Sequence, residues 1–513
     1  MIDSKTKYSR EYIRNYIVQG ASLALRFLSL LIVVPALSKN PEVYGIYALC
    51  VSVTVFISYV DLGFLASSTK YATESYSQGN RIREMNFIGF GGFVTLLMSL
   101  FLTLTFTYLS FNPAKLITNL EGKDSISIAS NLLLTLALSS PFIVLQRVFS
   151  IIFEIRLKGY LSKLVSIITN SIVIISTFYF FRFDNYLIVE YYIFLNFSTV
   201  FGTIILSLIL KYRFNYDIIK LFSCFKFTNK IFKITKKLAY PSFLNMLSWI
   251  AFYELDQIVV GRFIGAKEVA FFAIGLTFAA LFRSIFGIIF GPFLVRANYF
   301  VGNNDNNGLR QFLMKIMIIS APFTMLPTIA FSLISEPLIL SWVGTTYEES
   351  ILMAKLFSLL FTFSFISYLA GIYLTSKEKI KELYIISIFM PFIYWLGILL
   401  TYSNYGILTF PIFKLLTILI SIIYYIIILH KYDIISVKFL FNKIFTNLTI
   451  PIIVLFILVK YSIGFFPQEK SALNFMIILL ITGFYIAVCI AISYFLSKDA
   501  NKIIKESIKN IIK

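Results

Sequence analysis

Arginine is rarely found deep within a long apolar run, and this chain places three there. In the run 16-37, with the residue before it, Asn15, Gln19, Ser22, Arg26 and Ser29 recur at steps of three or four, which sets them along one face of a helix. The run 268-295 carries Arg283 near its centre, and the run 126-153 carries Arg147 towards one end. A guanidinium stays ionised even when desolvated, and its planar fork of donors matches a phosphate. Carboxylates occur in the same setting. Asp61 follows Thr54 and Ser58 in the run 44-66, and Glu254 accompanies Ser242, Asn245, Trp249, Tyr253 and Asp256 in the run 238-260. These acids either hold the arginines in ion pairs or take up a proton or coupling cation, and the sequence leaves both open.

Each ionisable group inside a span costs ~2.5 to 3.5 kcal/mol on insertion scales, so its usual place is a bundle interior or a water-filled cavity. The expectation is a cavity with an excess of arginine, in which Arg26, Arg283, Arg147, Gln19, Asn15 and Asn245 contact an anionic, phosphate-containing cargo. Asp61, Glu254 and Asp256 then serve in ion coupling or charge pairing. Lysines such as Lys315, Lys355 and Lys460 read as snorkelling groups near helix ends. Catalytic parts are not expected, because metal clusters, nucleophile motifs and phosphate-cradling glycine loops are missing from the sequence. Cys50, Cys224 and Cys489 are far apart, and the single His430 ends an apolar run beside Lys431 and Asp433, so neither a metal nor a cofactor is expected.

The elements that must position these residues are membrane helices. Of 513 residues, 58% are hydrophobic and only 14% charged, and mean hydropathy is +0.84. That is too much apolar surface for one aqueous core. The runs are about twenty residues long, the length a helix needs to cross ~30 Å of hydrocarbon, and the alternating segments of a β-barrel are missing. About fourteen helices are expected, near 16-37, 44-66, 86-110, 126-153, 162-181, 187-210 and 238-260, then 268-295, 311-333, 351-375, 381-402, 406-429, 446-465 and 472-496. Lysine and arginine crowd alternate loops, which predicts both termini on the cytoplasmic side. The same sorting by side accounts for the net charge of +20 and excludes a nucleic-acid partner. The basic segment 211-237 and the tail from Lys498 are placed to attract anionic lipid at the cytoplasmic face.

A short repeat points to two parallel halves. Glu42-Val43-Tyr44-Gly45-Ile46-Tyr47-Ala48-Leu49 aligns, with one gap, to Glu268-Val269-Ala270-Phe271-Phe272-Ala273-Ile274. The predicted organisation is a six-helix bundle over 1-210, a basic cytoplasmic linker at 211-237, a second six-helix bundle over 238-429, and two added helices with a basic tail at 430-513.

Pro41-Glu42-Val43-Tyr44-Gly45-Ile46-Tyr47-Ala48, Val60-Asp61-Leu62-Gly63-Phe64 and Asp256-Gln257-Ile258-Val259-Val260-Gly261-Arg262-Phe263-Ile264-Gly265-Ala266 give the chain a further likeness. It resembles the polysaccharide flippases of the multidrug/oligosaccharidyl-lipid/polysaccharide (MOP) exporter superfamily, the O-antigen (Wzx-type) flippases in particular. That resemblance implies an all-α polytopic protein with two pseudo-symmetric bundles in a V around a cationic cavity. It implies a cargo of undecaprenyl-pyrophosphate-linked oligosaccharide, moved across the bacterial cytoplasmic membrane by alternating access, with Arg26 and Arg283 as cavity arginines and polysaccharide polymerase machinery as a partner. Twelve helices are common among O-antigen members, while fourteen is closer to lipid II flippases. The alternatives are therefore a lipid II-type flippase and a cation-coupled multidrug antiporter of the same superfamily, ahead of a membrane glycan polymerase.

Overall fold

Each run read as helical in the sequence lies mainly on helix, and no strand occurs among the described residues. The computed structural model describes residues 2-57, 59, 61-120, 122-182 and 186-503, with the side chains of residues 2-13, 15, 16 and 26 outside that description. Two compact units divide the chain, Met1–Ala270 and Phe271–Lys513.

The first unit contains α1 (Ile2–Leu37), α2 (Pro41–Ile57), α3 (Phe64–Ser77), α4 (Arg81–Phe111), α5 (Gly122–Ile155) and α6 (Gly159–Phe180). It continues with α7 (Ile188–Phe214), α8 (Ile218–Ser223), α9 (Asn229–Trp249), α10 (Asp256–Phe263) and the first turn of α11 (Ala266–Gly302). The rest of α11 opens the second unit, followed by α12 (Asn306–Leu333), α13 (Ser335–Val343), α14 (Ser350–Leu359), α15 (Ser364–Ser376) and α16 (Ile380–Tyr405). That unit ends with α17 (Thr409–Lys431), α18 (Val437–Phe439), α19 (Thr446–Ser462) and α20 (Ala472–Leu496).

Ten described stretches are long and apolar enough to cross a membrane, or eleven with α14 and α15 taken as one bent span. One of the ten, Ile380–Lys431, is the pair α16 and α17, which pack against each other. Large apolar side chains such as Leu104, Leu399 and Leu480 are about 70% exposed or more. Such surfaces would aggregate in water and are ordinary in lipid. This is a multi-pass membrane protein.

Helix starts follow local capping chemistry. Asn80 accepts a hydrogen bond from the Arg83 amide at the start of α4, Asp217 from Lys220 at α8, and Asp305 from Gly308 at α12. Within the spans, hydroxyls bond back to the preceding turn, as Thr95 does to the Gly91 carbonyl (2.7 Å) and Ser320 to that of Ile316 (2.7 Å). Hydroxyls bonded in this way need no water at membrane depth. Between the predicted runs 311-333 and 351-375 lies α13, whose nine residues are nearly all buried against α14 and α20.

Three predicted helices are broken. The run 44-66 stops at Ile57 and resumes at Phe64, with Leu62 and Gly63 at positive φ (49° and 75°) in the turn. The run 238-260 passes through a π-helical turn over Ile250–Glu254. The run 351-375 bends by 49° between α14 and α15.

A buried ion pair ties down one end of the first unit. Arg156, just beyond α5, donates to Glu84 of α4 at 2.7 Å, and neither side chain is more than 3% exposed. The guanidinium also donates to the Ile152 carbonyl at 2.9 Å and lies between the rings of Tyr76 and Tyr216, 4.8 and 4.9 Å from their centroids. Burial, reinforced by the charge of Glu84, pushes the Tyr216 phenol well above its ordinary range, so it stays neutral. Removing one partner of such a pair strands a buried charge. Glu84→Ala should therefore cost ~3 to 5 kcal/mol, and adding Arg156→Met should recover part of that loss, as read by thermal unfolding in detergent.

Candidate functional site

The break between α2 and α3 determines what Asp61 does. The sequence places it on a continuous helix, but the structure places it in the turn. There its carbonyl accepts from the Phe64 amide (2.8 Å) and its Oδ2 from the Leu65 amide (3.2 Å), so it caps α3. Gly63 permits this turn because its φ of 75° is strained for any residue with a Cβ. An added Cβ would also lie 2.7 Å from the Ala239 carbonyl of α9, so the turn is pressed against that helix. The signal was in the sequence. Asp-Leu-Gly combines a capping acid with a residue suited to the left-handed region.

The other carboxylate oxygen of Asp61 faces α5. Arg147 Nη2 lies 3.6 Å from Asp61 Oδ1, with the arginine side chain 33% exposed and the aspartate 6%. Arg147 Nη1 is buried and makes no hydrogen bond. An orphaned buried donor costs about 1 to 3 kcal/mol, more when it belongs to a charged group, so this arginine is only half satisfied by Asp61. The arrangement is a fixed cation with one edge on a carboxylate and a second donor lacking an acceptor.

The other expected site residues are distributed as follows. Gln19 of α1 is half-buried and Asn245 of α9 is exposed, both in the first unit. Arg26 and Asn15 lie on α1, and their side chains fall outside the described residues. Arg283 is half-buried on α11 in the second unit, where its carbonyl accepts from the Tyr368 hydroxyl (3.4 Å). Glu254 and Asp256 flank the end of the π turn, and Asp256 is only 1% exposed. A π turn inserts one extra residue, which rotates everything after it by ~100° relative to a regular helix. Asp256 therefore does not continue the face of Ser242, Asn245 and Trp249 that regular spacing predicts. Among these candidates the structure brings Asp61 and Arg147 into an ion pair.

One residue escaped the sequence reading. Lys414 of α17 is 1% exposed, and its ammonium lies 5.0 Å from the centre of the Tyr394 ring. A charge six residues into an otherwise apolar 23-residue helix was the available signal. Among the described residues no cluster of three or more His, Cys, Asp or Glu could hold a metal.

No family model matches this chain, and no curated protein matches it by sequence. Solved structures do match. The chain is similar to the lipid II flippase MurJ in its inward closed conformation, with 17% identity and a TM-score of 0.67 over 94% of this chain and 98% of that one. An inward-facing multidrug resistance MATE family transporter of the MOP superfamily follows, with 15% identity and a TM-score of 0.62 over 82% and 99%. A MOP superfamily transporter from Pyrococcus furiosus, described by a reversed polarity of its binding pocket, matches with 14% identity and a TM-score of 0.56 over 82% and 95%. The chain has the fold of MOP superfamily transporters.

Substitutions at the turn should separate its two roles. Asp61→Asn keeps a capping oxygen and should cost less than ~1 kcal/mol, whereas Asp61→Ala loses both the cap and the pair and should cost ~2 kcal/mol or more. Melting temperatures of the purified variants check the order.

Proposed function

We propose that this protein is a flippase that moves a polyprenyl-pyrophosphate-linked oligosaccharide, such as a surface polysaccharide repeat unit, from the inner to the outer leaflet of a bacterial cytoplasmic membrane by alternating access. The observation that carries the reading is Arg147. A cation within a span, ion-paired with Asp61 at 3.6 Å and still 33% exposed along its side chain, suits a pyrophosphate, which would supply the acceptors that Asp61 does not. Arg26 and Arg283 supply further positive charge within spans, with Gln19, Asn15 and Asn245 as neutral donors and acceptors towards the saccharide. The fold supports the same reading, since the similarity to a lipid II flippase extends over 94% of the chain.

Direction follows from charge. With the cell interior negative, outward movement of an anionic headgroup gains about 2.3 kcal/mol per charge per 100 mV. The basic loops, by the positive-inside rule, set both termini in the cytoplasm, so the headgroup enters from the Lys- and Arg-rich side. Lipid II is the second reading of the cargo, favoured by the same structural similarity. A cation-coupled antiporter is the second reading of the class, and Asp256, buried beside the π turn, is the residue that favours it.

Proteoliposomes test the proposal. Wild type should flip a polyprenyl-pyrophosphate oligosaccharide, and Arg26→Ala, Arg147→Ala and Arg283→Ala should each lower the rate at least tenfold while melting close to wild type. This corresponds to loss of one charge-assisted contact of ~1.5 to 3 kcal/mol. Preference for lipid II over undecaprenyl-linked repeat units would move the cargo to the second reading. Export of soluble cations with no flipping of any pyrophosphate lipid would move the class to the antiporter.

A further inference from the structure

A second cationic site lies at the Lys- and Arg-rich end of the first unit, away from Asp61 and Arg147. Arg83, Asn86, Phe87, Lys226, Thr228, Lys230, Ile231 and Ile234 line a cavity of about 590 Å³, well within the size of small-molecule sites. Three cations and one amide converge on it, and no carboxylate lines it. Its floor is apolar, formed by Phe87, Ile231 and Ile234.

The backbone carrying the three exposed cations is held by the packing beneath it. Glu84, next to Arg83, is locked to Arg156, and the Arg83 guanidinium lies 5.7 Å from the centre of the Phe87 ring. The segment carrying Lys226 and Lys230 is anchored by the buried side chains of Tyr216 and Leu221. Cys224 and Phe225 then pack directly onto Gly89 and Gly92 of α4, which sets Lys226 beside that helix. The first turn of α9 also borders the cavity, and the Thr228 hydroxyl is not used to cap that helix. The free amides of a 21-residue helix add positive potential there.

The segment that supplies Lys226 and Lys230 to the cavity also carries exposed apolar side chains. Ile219, Phe222 and Phe227 are 84%, 42% and 55% exposed and alternate in sequence with Lys220, Lys226 and Lys230. Exposed apolar groups mixed with cations mark the headgroup region of a bilayer, where the former reach acyl chains and the latter reach phosphate. Simple sorting of charge by membrane side accounts for lysines in this loop. It does not account for a shaped, carboxylate-free cavity with an apolar floor.

We infer that this cavity binds the phosphate headgroup of an anionic phospholipid of the inner leaflet, with Arg83, Lys226 and Lys230 on the phosphate, Asn86 and Thr228 on the headgroup hydroxyls, and the acyl chains leaving along Phe222 and Phe227. The site is separate from the cargo site proposed above and stands whether or not that cargo is right.

Native mass spectrometry of the delipidated full chain in detergent tests it, with dioleoylphosphatidylglycerol, dioleoylphosphatidylcholine and inorganic phosphate as probes. Wild type should retain one phosphatidylglycerol at concentrations where phosphatidylcholine is not retained. Arg83→Gln with Lys230→Gln should weaken retention about thirtyfold, and Lys226→Gln alone about fivefold. Arg310→Gln, in the second unit, should leave it unchanged. Lys226 is exposed on a loop, so its single variant decides the matter should the double variant fail to fold. Equal retention of phosphatidylcholine, or retention unchanged by Lys226→Gln, overturns the site. Displacement of the lipid by millimolar inorganic phosphate overturns the lipid as its occupant and makes this a free-phosphate site.

Discussion

Charge in a membrane must be matched where it stands, because there is no water to do it. Ionised groups at depth persist only when paired, hydrogen-bonded or placed against a cavity. The first unit meets that requirement in two different ways. Near its basic end, Arg156 is fully engaged by Glu84, a backbone carbonyl and two tyrosine rings. Deeper in, Arg147 is engaged on one side only, and Asp61 is divided between that arginine and the start of α3. In the first arrangement the cation is satisfied and only Glu84 Oε2 lacks a donor, so it reads as structural. In the second the cation itself is only half satisfied, which is the ground for proposing Arg147 as a binding residue.

The breaks in the helices serve the same constraint. A backbone interrupted at membrane depth exposes amides and carbonyls that something must satisfy. At the first break Asp61 satisfies two amides through its carbonyl and carboxylate, and Gly63 lets the chain turn hard against α9. At the π turn the Leu255 amide reaches the Ile250 carbonyl at 3.0 Å, so the ladder is stretched but not lost. Broken elements of this kind are where transport proteins commonly place ligand-binding groups.

Much of the fold was legible because length and hydropathy alone define a membrane helix, and each predicted run is mainly helical. The interruptions were not legible to a reading based on apolar runs, since Val60, Leu62 and Phe64 keep the hydropathy high across a turn that Asp61 and Gly63 create. A π turn leaves no mark in composition at all, so the predicted face running to Asp256 failed at Ile250–Glu254. At the candidate site, residue types pointed to Arg147 and Asp61 separately, and only the tertiary fold joins residues 86 positions apart. Lys414 went unnoticed because a single lysine hardly alters a strongly apolar average, yet its depth in the protein makes it as costly as the others.

The central claim is that Arg147 is a half-paired cation available to a phosphate anion. Equilibrium binding of a polyprenyl pyrophosphate to the purified chain, comparing Arg147→Gln with Asp61→Asn, tests this most directly. If the claim holds, Arg147→Gln weakens binding by about tenfold to a hundredfold, while Asp61→Asn, which keeps the cap and removes the competing negative charge, binds as well as wild type or better. Unchanged binding by Arg147→Gln, or an equal loss in both variants, would show that the pair only supports the fold and would contradict the claim.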